Sequence, residues 1–113
     1  MDHILKHLNF LELLAKPVSE DQAKALISTS TDKQLNIISE MSLNVLQGNI
    51  VLSKHYKKLL LKDADFIREL GDRGIRSKKR RSLAISHIKT ISVLLAACLK
   101  HITDGSRACT STT

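Results

Sequence analysis

The side chains of this sequence with chemical potential are five histidines, two cysteines and a run of carboxylates between Asp63 and Asp72. His3 and His7 stand four apart, which puts two imidazoles on one helical face and makes half of a metal site. No second pair of Cys, His or carboxylate ligands stands at a suitable spacing, so they read as a surface pair. His55, His87 and His101 are scattered, and no GxSxG, HExxH, P-loop or Gly-rich dinucleotide signature occurs. Asp63, Asp65, Glu69 and Asp72 alternate with Lys62, Arg68 and Arg73, the pattern of ion pairs along a helix surface. Cys98 and Cys109 lack CxxC spacing, and Cys98 falls in an apolar run where a buried free thiol in a reducing compartment is the common outcome. These residues predict no catalysis, no cofactor and no metal.

Charge is the stronger signal. Residues 54–81 hold eleven Lys and Arg against four acids, while the rest of the chain holds seven of each, so the whole net charge of +7 lies in one quarter of the sequence. That is the electrostatic footprint expected of a phosphate-binding surface. The candidate nucleic-acid contacts are Lys54, Lys57, Lys58, Lys62, Arg73, Arg76, Lys78, Lys79, Arg80 and Arg81. Lys54, Lys57 and Lys58 are expected to open one helix and Lys78 to Arg81 another, where cations oppose the macrodipole and an anion would resolve the conflict. The window has no Asn or Gln and one aromatic, Tyr56, so contact with the phosphate backbone is expected in preference to base reading. A helix-turn-helix around residues 48–53 is an alternative. The same charges also fit a solvated face, a nuclear import signal at residues 78–81, or an anionic membrane surface.

These residues are positioned by helices. Aromatics number three and Gly and Pro only four and one, and no segment alternates apolar and polar residues for long. The expected fold is all-α, a small bundle of four to five helices joined by short turns, forming one domain over residues 1–104 with a flexible polar tail at 105–113. The first helix spans residues 2–16 with Ile4, Leu5, Leu8, Leu11 and Leu14 on one face, ended by Pro17. Ser19 caps a short second helix carrying Ala23, Leu26 and Ile27. Thr31 or Asp32 caps a third with Leu35, Ile38, Met41, Val45 and Leu46, stopped at Gly48. Ser53 caps a fourth that runs to Leu70, and residues 71–74 break it. Ser77 caps the last, whose apolar surface includes Leu83, Ile88, Ile91, Leu94, Leu95, Cys98 and Ile102. Residues 91–99 are far short of the roughly 20 needed to span a bilayer. The charged start at Asp2 and His3 lacks the pattern of a secretory signal, so a nuclear or cytoplasmic location is expected.

Residues 42–49, Ser-Leu-Asn-Val-Leu-Gln-Gly-Asn, followed by Leu52, Ser53, Lys57, Lys58 and Leu59, resemble a small basic protein encoded by Polinton-like elements and adintoviruses. The resemblance continues through residues 67–83 and covers roughly residues 23–99. The chain departs from it in having Gly71-Asp72 where Ala-Asp is usual, and the apolar residues 91–99 where many members have a Gly-Gly-containing end. The resemblance implies a non-enzymatic virion core protein, similar in character to adenovirus core peptides, that condenses DNA in the host nucleus and particle. It implies DNA contacts at Lys57, Lys58, Lys78, Lys79, Arg80 and Arg81. A competing reading is a helical adaptor, in which the wide apolar face of the first helix or the segment 91–99 docks on another subunit, such as a capsid protein or a second copy of the chain. Membrane perturbation by the last helix is a third.

Overall fold

A computed structural model describes the backbone of residues 6–112 and the side chains of residues 6–100. Seven helices are described: α1 (Leu8–Ala15), α2 (Glu20–Ser28), α3 (Asp32–Leu46), α4 (Lys54–Leu61), α5 (Ala64–Gly71), α6 (Ser77–Ser86) and α7 (Ile88–Thr112). The all-α class holds, and the count of four to five does not, because two helices expected to be continuous are each broken. Ile4, Leu5 and the His3 of the histidine pair lie outside the described residues, as does the side chain of Ile102. The backbone of α7 is helical through residue 112.

The helix starts follow their capping residues. Ser19 Oγ accepts from the Gln22 amide at 3.0 Å, and Ser53 Oγ from the Tyr56 amide at 3.3 Å. At α3, Thr31 and Gln34 form a reciprocal capping box, with bonds of 3.2 and 2.9 Å. α3 ends in a Schellman motif: Gly48 takes φ +75°, its amide donates to the Val45 carbonyl, and the Asn49 amide donates to the Asn44 carbonyl. The apolar contact that often closes this motif is replaced by Asn49 Nδ2 donating to Asn44 Oδ1 at 3.2 Å.

α1 lies against α7, α3 against α5, and the two pairs share one core. Leu11 and Leu14 of α1, Leu35, Ile38 and Met41 of α3, Ile67 and Leu70 of α5, and Ile91, Leu94, Leu95 and Cys98 of α7 are fully enclosed. Much of the apolar face of α1 is thereby used internally, although Leu13 stays exposed. Leu46, placed on the apolar face with Val45, is also exposed, whereas Val45 packs against the core. α3 and α5 approach closely at Gly71, where a methyl group would come within 3.1 Å of Leu43 Cδ2.

Both breaks occur at polar residues in the middle of an apolar stripe. Asp63 follows Tyr56 by seven and Leu60 by three, and precedes Ile67 by four and Leu70 by seven. A straight helix would carry its carboxylate into the core. Instead the chain turns at Asp63, and Asp63 Oδ2 meets His87 Nδ1 at 3.0 Å and accepts from Thr90 Oγ1 at 2.7 Å. His87 is itself the residue between α6 and α7, which meet at 96°. Its ring stacks on Phe66 with centroids 4.1 Å apart. One carboxylate therefore fastens two corners.

Two outcomes are expected. Replacing Gly48 with Ala places a side chain at a left-handed backbone position with open space around it, so chemical denaturation should show a loss of about 1 kcal/mol from backbone conformation alone. Burial pushes the Cys98 thiol up to about 12, which keeps it protonated at neutral pH. In a Cys109→Ser variant, Cys98 should resist a thiol reagent at pH 8 until denaturant is added.

Candidate nucleic-acid interface

The eleven cations of residues 54–81 divide by what surrounds them. Arg68 Nη1 pairs with Asp65 Oδ1 at 2.9 Å along the exposed face of α5, and Lys79 Nζ with Glu69 Oε1 at 3.3 Å. Those two charges are locally balanced, though both pairs are exposed and contribute little stability.

Arg80 was expected to meet nucleic acid and does not face solvent. It is 5% exposed, its Nη1 donates to Asn36 Oδ1 at 2.7 Å, and its Nη2 donates to the carbonyls of Asp72 at 3.3 Å and Ile75 at 3.5 Å. The reason lies in register: Arg80, Ala84, His87, Ile91 and Leu94 succeed one another at steps of three or four, so Arg80 shares the inward stripe. Arg81 is half-buried. Its Nε donates to the Ile27 carbonyl at 3.3 Å and its Nη2 to the Ser30 carbonyl at 2.9 Å, placing a cation at the carbonyl end of α2, with Asp32 Oδ1 at 3.9 Å. Arg80 and Arg81 thus hold α6 to α3 and α2.

The remaining seven, Lys54, Lys57, Lys58, Lys62, Arg73, Arg76 and Lys78, are exposed and have no ion pair among the described residues. They form two groups. Lys54, Lys57, Lys58 and Lys62 belong to α4 and its C-cap, and α4 packs on α7 and α5. Arg73, Arg76 and Lys78 belong to the turn before α6 and its first turn, and α6 packs chiefly on α2, α3 and α5. The linear window is therefore carried in two groups, one on α4 and one at the start of α6, and both helices pack on α5 and α7.

The macrodipole expectation is corrected in the same way. α4 has only eight residues, so Lys58 stands in its last turn, where a cation is favourable, and Lys54 is the one that opens the helix. At α6 the N-cap is Arg76, not Ser77, with no side-chain capping bond and no acid in the first turn. The conflict between charge and helix start is concentrated there.

Asp63 with His87 and Thr90 is the polar cluster the sequence did not reveal. Both partners use the same carboxylate oxygen, so the arrangement fixes chain direction and does not align a hydroxyl with a base. Among the described residues no three His, Cys, Asp or Glu side chains are placed to share a metal ion. No single helix among them is long and apolar enough to cross a membrane; a bent pair, Ser77–Ser86 with Ile88–Lys100, passes on length and composition, yet most of its apolar side chains are core. Comparison of the chain with protein families, curated proteins and solved structures finds no match.

Arg80→Ala should lower unfolding free energy by about 2–4 kcal/mol, since it removes the donor to the Ile75 carbonyl and the Asn36 amide oxygen, takes one of two donors from the Asp72 carbonyl, and opens a cavity. Lys78→Gln should change it by less than about 0.5 kcal/mol. Equal losses in urea denaturation would contradict the division of these neighbours into support and surface.

Proposed function

We propose that the protein is a non-enzymatic nucleic-acid-binding protein that neutralises DNA phosphates with its exposed cations. The observation carrying this reading is the set of seven solvent-facing Lys and Arg side chains that have no ion pair among the described residues, four of them on α4 and its C-cap. Exposed cationic groups not held in ion pairs keep their charge available for a polyanion, and each contact releases condensed counterions from the duplex. The short lysine-bearing helix offers point charges with little sequence preference, in keeping with backbone contact. The resemblance of residues 23–99 to small basic proteins of Polinton-like elements supplies the setting: a virion core component acting in the host nucleus and the particle.

The α4 group provides the cleanest test, because Arg80 and Arg81 stay in place to hold the fold. Gel shifts with random duplex DNA should give log affinity falling steeply against log salt, and changing Lys54, Lys57, Lys58 and Lys62 together to Gln should reduce that slope by about 3 to 4. Binding that is insensitive to salt, or unaltered in the fourfold variant, would overturn the reading.

A further inference from the structure

Beside the start of α6 lies a cleft of about 590 Å³ between α3 and the turn that leads into α6. Small-molecule sites commonly measure about 300–1,000 Å³, so a compact metabolite fits. The cleft is cationic: Arg73, Arg76 and Arg80 line it against a single carboxylate, Glu40. Its backbone is also electropositive. Arg76 caps α6 without a side-chain acceptor, and the amides of Ser77, Lys78 and Lys79 have no hydrogen-bond partner among the described residues.

A bare helix start is common; two further atoms make this one a site. Ser39 Oγ and Arg80 Nε are both buried, both belong to residues that line the cleft, and neither has a hydrogen-bond partner among the described residues. Ser39 is 4% exposed and Arg80 5%. Buried polar atoms are nearly always satisfied, so two orphans in one wall point to a partner that arrives from outside. The chemistry of that partner follows from the donors. An arginine Nε–H can only donate, as can the free backbone amides, and the Ser39 hydroxyl can donate too. Together with two exposed guanidinium groups they call for a compact, multiply charged acceptor with several oxygens, which a cation or an apolar group cannot supply.

We propose that this cleft binds the phosphate group of a small phosphate monoester of nucleotide size. Ser39, Arg80 Nε–H and the first amides of α6 receive its oxygens, and Arg73 and Arg76 neutralise its charge. Asn36 lines the same cleft, with its amide oxygen held by Arg80 Nη1. The proposal shares Arg73 and Arg76 with the duplex-binding reading but not the lysines of α4, which take no part in the cleft.

The test is an NMR titration of the full-length, ¹⁵N-labelled protein with inorganic phosphate, adenosine 5′-monophosphate and, as the uncharged control, adenosine. The Arg80 Nε–H resonance and the amides of Ser77, Lys78 and Lys79 should move saturably with the two phosphates and stay in place with adenosine. Ser39→Ala removes only an unpartnered hydroxyl and should weaken monophosphate binding roughly tenfold while leaving the duplex gel shift as it was. The fourfold Gln variant of α4 should keep full monophosphate affinity. Absence of any shift in the unmodified protein up to about 10 mM phosphate, movement of those resonances by adenosine alone, or unchanged affinity in Ser39→Ala would each overturn the site. Uniform binding of phosphate that the α4 variant abolishes would do so as well, since it would assign the effect to the lysine helix.

Discussion

The arrangement of this bundle turns on the buried guanidinium of Arg80. It enters the space between α3 and α6 and there binds the Asn36 side chain and two carbonyls of the turn at residues 72–76. A charge placed there has lost most of its hydration, and only dense hydrogen bonding offsets the loss. The turn supplies that bonding and is fixed by it in return, with the Asp72 carboxylate closing the same turn onto the Gly74 amide at 2.8 Å. The next residue repeats the device on another neighbour, as Arg81 reaches the carbonyl end of α2. Consecutive arginines thus tie one helix to two others, and the position of the α6 N-terminus follows from both.

A basic cluster in sequence consequently becomes two kinds of matter in space. Within Lys78, Lys79, Arg80 and Arg81, one side chain is free at the surface, one is paired with an acid on α5, and two are structural. Charge counting cannot separate them, because formal charge carries no information about which way a side chain points. Helical register can. Arg80 stands on the stripe that continues through Ala84 and Ile91, and that alignment, present in the sequence, outweighs the prior that arginine is exposed.

Much of the scaffold was legible for the same reason. Ser19, Thr31 and Ser53 are capping residues with clear local chemistry, and Gly48 is the natural residue for a left-handed helix end. Leu35, Ile38, Met41, Ile91, Leu94 and Cys98 follow helical spacing into the core. The two breaks were not legible, since each depends on a partner far along the chain: Asp63 is answered by His87 and Thr90, and His87 by Phe66. The cleft was equally hidden. Ser39 is an ordinary small polar residue in a helix until the turn before α6 is laid over it, and only the fold shows that its hydroxyl and Arg80 Nε, from two residues lining one cleft, have no partners among the described residues.

The shared corner at Asp63 has a consequence for how this protein can vary over generations. Because a single oxygen atom receives both His87 and Thr90, an apolar replacement at position 63 would invite α4 and α5 to merge into one rod while stranding an imidazole at the other elbow. Positions 63 and 87 are thus bound to a common inheritance. Homologues should keep the acid and the histidine together or lose both at once, and those that lose both should descend as straighter, longer-helixed bundles.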